Sequence, residues 1–274
     1  MASARQTTNA FSLSNSFLRN RNLIWQMTRR EVVGRYRGSV IGLLWSFFHP
    51  ITMLIIYTFV FSVVFRARWG TGGGSRIEFA LVLFAGLIVF NFFSECVNRA
   101  PLLITSNVNF VKKVVFPLEV LPLVTIGAAL FHAAVSLCVL IVFYILTSSS
   151  LHWTLVYTPI IMAPLLLFTL GISWFLASLG VFLRDVSQAI GLMTTILMFL
   201  SPIFYPVSAV PEKYQIFIFL NPLTFIIEQM RDVLIWGKHP SWIGICLATV
   251  LGILAAWLGL VWFQKTRKGF ADVL

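Results

Sequence analysis

The stretch VLPLVTIGAALFHAAVSLCVLIVFYILTSSSLHWTLVYTPIIMAPLLLFTLGISWFLASLGVFL, residues 120–183, runs for 64 residues without an Asp, Glu, Lys or Arg. As a single helix it would rise about 96 Å at 1.5 Å per residue, three times a bilayer hydrocarbon core of about 30 Å. The polar run Thr147, Ser148, Ser149, Ser150 divides it into two apolar segments, residues 121–146 and 155–183. Each is long enough to cross a membrane. The same criterion applied outward gives a charge-free run between Arg37 and Arg66, read as a span over 40–65. Further spans follow at 79–97, bounded by Glu78 and Glu95, at 186–205, ended by Pro202 and Pro206, and at 242–263. The expected fold is an all-α polytopic membrane protein with six transmembrane helices.

Composition agrees. Of 274 residues, 59% are hydrophobic and 11% charged, and the mean hydropathy is +0.91. Soluble domains carry about 25% charged residues, so this chain lacks the polar surface to cover a water-facing globule. That excludes a soluble enzyme, a disordered regulator and a secreted disulfide scaffold. The net charge of +11 would suggest nucleic acid in a soluble protein. Here it points to cytoplasmic loops against anionic headgroups, with no nucleic-acid partner. With six spans both termini share a side, and the 14 Lys and Arg on that side against 6 on the other put both termini in the cytoplasm and residues 66–78 and 206–240 outside.

Two segments depart from this pattern. Over 11–37, Phe17, Leu18, Ile24, Trp25, Val32 and Tyr36 share one helical face with Arg19, Arg30 and Arg37 nearly opposite, so residues 1–37 are expected to supply an amphipathic helix on the inner membrane surface. Residues 214–236 are apolar but broken by Asn221-Pro222, in pieces too short to span. They are expected to form a re-entrant helix pair in the outer leaflet.

Chemistry-bearing motifs are missing. There is no GxxxxGK[ST] loop for ATP and no HExxH zinc helix. Gly70 to Ser75 reads as a flexible connector, and Cys96, Cys138 and Cys246 are scattered without metal or redox spacing. No catalytic or metal site and no cofactor is expected. His49 and His132 are the titratable groups within spans, suited to helix packing or, in an ion-coupled flippase, to a proton relay.

The order of Arg35-Tyr36-Arg37-Gly38-Ser39, Leu43-Leu44-Trp45, Phe116-Pro117-Leu118-Glu119-Val120-Leu121-Pro122, Arg184-Asp185-Val186, Ser201-Pro202-Ile203-Phe204-Tyr205-Pro206, Asn221-Pro222-Leu223 and the basic tail 265–272 resembles the type-2 permease subunits of ATP-binding-cassette exporters. Within them the chain is most similar to the branch exporting O-antigen, capsule or teichoic-acid chains. The resemblance implies a bacterial inner-membrane homodimer with two copies of a separate ATPase that holds ATP and Mg, and a polyprenyl-linked glycan as substrate. A drug or small-lipid exporter of the same type is the alternative.

Three candidate sites follow. In the family the inner loop, here 101–120, carries a coupling helix, and the candidate coupling residues are Arg29, Arg30, Lys112, Lys113 and Glu119; a plain headgroup-binding loop would use the same residues. Ser46, His49, Met53 and Tyr57 in the first span, and Thr194, Met198, Ser201 and Tyr205 in the fifth, recur at helical spacing. They suit either a glycan channel with aromatic and hydroxyl contacts or close helix packing. Asn221, Pro222, Glu228, Arg231 and Asp232 suit an outer gate closed by ion pairs at i, i+3 and i, i+4, or an interfacial anchor.

Overall fold

The computed structural model describes residues 20–64, 69, 76–112, 116–147 and 151–274. The connector 70–75, Lys113 and the side chain of Lys112 lie outside the described residues, as do Phe17, Leu18 and Arg19. Among the described residues the chain is helical and has no strand. Helix α1 is Arg21–Arg35 and α2 is Trp45–Tyr57, entered by the turn Gly42–Leu44 and continued by wider π-type turns over Thr58–Val64. Then come α3, Arg76–Arg99; the short α4, Val108–Lys112; α5, Val120–Thr147; and α6, Thr158–Phe182. The series closes with α7, Val186–Leu200; α8, Glu212–Leu220; α9, Pro222–Leu234; α10, Trp242–Thr266; and α11, Phe270–Val273.

Among the described residues, five helical segments are long and apolar enough to cross a membrane: 42–61, 77–102, 120–147, 153–182 and 242–273. The fifth expected span differs. Helix α7 is only 15 residues, about 22 Å, because Ser201-Pro202 leaves the helix for extended backbone: Pro202 has no N–H to donate and disfavours the α conformation at Ser201.

The bundle is built around α3. Its twelve residues from Phe79 to Phe90 are all buried, and 78% of its apolar window is enclosed against 17% for the first span. Leu54 of α2, Ile126 and Leu140 of α5, Ile161 and Leu165 of α6, and Ile226, Ile227 and Met230 of α9 share its core. A second core gathers at one end from Ile104, Phe116, Leu118, Trp174, Val181, Phe263 and Phe270, with Leu23 and Met27 of α1 against it. This end also carries Arg184 and the chain end beside the 101–105 turn, and is called the basic end here. At the opposite end Thr154 Oγ1 donates to the Val233 carbonyl at 2.6 Å, and Tyr157 meets Trp242 edge-on.

Helices α6 and α10 meet through small residues. A Cβ on Gly171 would strike the Ala255 carbonyl, one on Gly259 the Gly171 carbonyl, and one on Gly252 would sit 2.8 Å from the Pro164 carbonyl. Without a hydrophobic drive between helices in lipid, such backbone approach is what holds a pair together. Gly191 on α7, by contrast, has nothing within 4 Å of where its Cβ would be. Gly171→Leu or Gly259→Leu should therefore destabilise the detergent-solubilised protein by about 3 kcal/mol or more, read as a fall in thermal midpoint. Gly191→Leu should leave the midpoint nearly unchanged. Equal midpoints for all three variants would rule out this packing.

Candidate functional site

Helix α9 has a cap, a start and an anchor. Asn221 Oδ1 accepts from the Leu223 N–H at 3.0 Å and Asn221 Nδ2 donates to Ser201 Oγ at 2.8 Å. Pro222 at the first helical position needs no donor there and is exposed. Arg231 is fully buried. Its Nη1 meets Glu228 Oε1 at 2.8 Å, Nε donates to the Val82 carbonyl at 3.0 Å and Nη2 to the Ile203 carbonyl at 3.0 Å, while its guanidinium lies 4.4 Å from the Trp69 ring centroid. Gly86 leaves room for the guanidinium; a Cβ there would come within 3.0 Å of Nη2. One side chain thus ties α9 to α3 and to the extended link after α7. Burial pushes the Arg231 pKa down to about 10, with the Glu228 carboxylate acting against that, so the guanidinium stays charged at neutral pH. Burial likewise pushes the Glu228 carboxyl above its ordinary range.

Asp232 takes no part in this pair. Its carboxylate faces Lys238 Nζ at 3.6 Å and Gln229 Nε2 at 3.4 Å, because one step along a helix turns the side chain about 100° away from that of Arg231. The expected Glu228–Arg231–Asp232 set is therefore an i, i+3 pair plus a separate rim pair.

The seams of α2 and α7 turn inward and do not converge. Ser46 is buried and donates to the Leu43 carbonyl at 2.7 Å. Buried Thr194 donates to Asn98 Oδ1 at 3.1 Å, and buried Ser201 accepts from Asn221. Met53, Tyr57 and Met198 are half-buried against the α3 core, and Tyr205 donates to the Phe199 carbonyl. His49 alone of the set is exposed. The open faces of both helices are mostly apolar, with Phe47, Phe48, Ile51 and Ile55 on α2 and Leu192, Met193, Ile196 and Phe199 on α7, interrupted by exposed His49 and Thr52 on α2 and Gln188 and Thr195 on α7.

At the basic end, Arg29 and Arg30 are exposed on α1. Glu119 is buried, with its carboxylate 2.9 Å from Arg267 Nη1 and its carbonyl accepting from Trp174 Nε1 at 3.0 Å. It clasps the inner loop to the C-terminal tail.

The packed face of α1 overlaps the expected stripe in part: Val32 is buried and Ile24 and Tyr36 are half-buried, but Trp25 is not. Leu23, Met27 and Val32 turn inward and Thr28 fills the space at Gly127 of α5, while Trp25 is 70% exposed. Polar pairs accompany this packing. Arg35 Nη1 lies 2.6 Å from Glu95 Oε1, and Arg99 pairs with Glu31. His132 Nδ1 lies 3.0 Å from Glu95 Oε2, with Tyr36 Oη 3.4 Å from its other ring nitrogen. Sequence reasoning missed this cluster, although a signal exists: Glu31/Arg35 and Glu95/Arg99 are both Glu–Arg pairs at i, i+4, and they pair crosswise.

The family model for the ABC-2 type transporter matches residues 22–235, from α1 through α9. The chain belongs to the ABC-2 type transporter family. It is 28% identical over 256 residues to the O-antigen export system permease protein RfbA of Klebsiella pneumoniae, covering 92% of this chain and 95% of the relative. With the RfbA permease of Myxococcus xanthus it shares 26% over 254 residues, 92% and 95% of the two chains. The polysialic acid transport protein KpsM of Escherichia coli is 21% identical over 240 residues, 87% and 91% of the two. By name the RfbA relatives are O-antigen export permeases and KpsM is a polysialic acid transport protein, and this chain is a multi-pass membrane protein of the ABC-2 type transporter family.

Within this ABC-2 domain Arg231 gives the sharpest stability test. Glu228→Leu leaves a buried guanidinium without its counter-charge and should cost about 2–3 kcal/mol. Adding Arg231→Leu removes that charge, so the double variant should be destabilised by clearly less than the sum of the two single variants. Thermal melting of the three proteins checks this, and simple additivity would mean that the pair is not coupled.

Proposed function

We propose that this chain is the permease subunit of an ATP-driven exporter that carries a lipid-linked polysaccharide across the bacterial inner membrane through a channel made by two copies of the chain. The observation that carries this reading is the end-to-end similarity to O-antigen and capsule permeases, 92% of this chain against 95% of an RfbA relative. Glycan on a polyprenyl carrier is the proposed cargo, and ATP and Mg belong to the partner ATPase.

The topology proposed is six crossings with both termini cytoplasmic. Thr194 on α7 meets Asn98 near one end of α3, and Ile203 shares Arg231 with Val82 near the other. Short α7 and its extended link together therefore run most of the length of α3, which supports counting them as a crossing. The excess of Lys and Arg at the basic end supports its cytoplasmic assignment.

The ATPase docks at that basic end. Helix α1 with Arg29 and Arg30, the loop carrying α4, and the clasp of Glu119 on Arg267 form one platform, and Lys112 and Lys113 of the same loop are proposed from the sequence as further coupling residues. A groove of about 570 Å³ lies there between Pro101–Thr105, Gly180–Arg184 and the chain end. The mostly apolar open faces of α2 and α7 are the proposed meeting surface of the two copies. Deleting the chain from its host should abolish surface polysaccharide while lipid-linked glycan accumulates inside, and the tagged chain should co-purify with an ATPase. Undiminished surface polysaccharide would overturn the reading.

Helices α8 and α9 form the outer re-entrant pair and close the mouth, with Arg231 as the fastening. If so, vesicles carrying Glu228→Ala with Arg231→Ala should leak small dyes without ATP. Tight vesicles that still export with ATP would leave α9 as an anchor only.

A further inference from the structure

A cavity opens between the end of α1 and the end of α3. It holds about 840 Å³ and is lined by Arg30, Glu31, Gly34, Arg35, Arg37 and Arg99. Four guanidinium groups face one carboxylate in the wall, with Glu95 behind it on Arg35 and Arg99. Among the described residues Arg30 and Arg37 pair with no carboxylate, so two planar donor forks are left over. Planar forks with several N–H donors match the oxygens of phosphate groups. The rim adds a second clue. Immediately after Arg37 and the positive-φ Gly38 the chain exposes Val40, Ile41, Leu43 and Leu44, an apolar strip beside a cationic pocket at the point where the first span begins.

We propose that this pocket binds a phosphate or diphosphate group carried on a lipid, its hydrocarbon chain lying along Val40–Leu44. Arg30 and Arg37 make the site attractive before anything is bound. Arg35 and Arg99 exchange partners: in the empty site Glu95 and Glu31 hold them, and a bound phosphate draws them away. Occupancy therefore loosens the crosswise pairs by which α1 is fastened to α3. This deepens the exporter reading by giving it a headgroup site, and it rests on that reading for the identity of the cargo; the binding itself needs neither ATPase nor transport.

The test uses the full chain in phosphatidylcholine nanodiscs, titrated with geranylgeranyl diphosphate, geranylgeraniol and inorganic diphosphate. The prenyl diphosphate should bind most tightly and the alcohol least. Arg37→Gln or Arg30→Gln should weaken diphosphate binding about tenfold or more at an unchanged melting temperature of the unliganded protein. Glu31→Gln should strengthen it several-fold, because a competitor for Arg99 is gone, an outcome that a purely structural ion pair does not produce. Inorganic diphosphate binding as tightly as the prenyl form would retain the phosphate site and overturn its lipid source. Equal binding of the alcohol, or no effect of either Arg substitution, would overturn the site. Failure here with export intact counts against the pocket alone, whereas loss of export chemistry with binding intact counts against the exporter reading.

Discussion

Helix α3 has almost no face left for lipid or water, and the other elements are arranged to make that possible. A helix apolar on every side is stable in a membrane protein either facing lipid or packed all round; α3 is packed all round by α2, α5, α6, α7 and α9. Burying Phe79 to Phe90 in this way needs a neighbour on the side that the long helices leave open. That neighbour is α9, 13 residues long with nine of them buried. A helix too short to cross the bilayer can occupy this position only if its polar ends are satisfied by protein, since lipid offers no hydrogen bonds. Asn221, Gln229 and Arg231 do this. Gln229 Oε1 accepts from the Ser241 N–H at 2.6 Å, so α9 is tied to α10 as well as to α3.

The two ends of α3 carry the two charged clusters of the fold. Val82 meets Arg231, and Glu95 and Arg99 meet Arg35 and Glu31. The separation from Val82 to Glu95 is 13 residues, about 20 Å along a helix axis. Ion pairs exchange partners at little cost when partly wet, whereas the packed core between them resists deformation. Movement of α1 at the basic end and of α9 at the other would both have to be accommodated by the same rigid rod.

Much of the span structure was legible because crossing a membrane leaves a mark that needs no tertiary information: a charge-free run of sufficient length. The segments 121–146 and 242–263 fall within α5 and α10 for this reason. The segment 79–97, least secure by charge spacing because Glu78 and Glu95 crowd it, is the most enclosed of all. At its far end the helix runs on past Glu95, whose carboxylate pairs with Arg35 and His132. Faces were less legible than lengths. A helical wheel tells which residues lie together but not what they meet, so the Ser46–Tyr57 and Thr194–Tyr205 seams could be identified while their inward orientation could not. The same holds for α1. Hydrophobicity favoured the side bearing Trp25, but Glu31 and Arg35 pair with Arg99 and Glu95 far along the chain, and such partners leave no local trace.

The inward turn of those hydroxyls changes where a sugar chain could be gripped. Buried Thr194 and Ser201 already spend their hydrogen bonds on Asn98 and Asn221, which fasten α7 to α3 and to the start of α9. Polar groups so committed in a low-dielectric interior are costly to free. What α2 and α7 leave open is mostly apolar and partly aromatic, Phe47, Phe48 and Phe199 among it, with His49, Thr52, Gln188 and Thr195 as scattered polar groups. Rings of this kind offer flat faces and form no strong directional bonds, so where two copies meet along these faces as proposed, the rings bordering the proposed channel between them would let a polar polymer slide while holding it weakly. The guanidinium groups of Arg30, Arg35, Arg37 and Arg99 gather at the basic end, and for the proposed cargo, recognition there followed by low-friction passage is the division of labour that fits this placement.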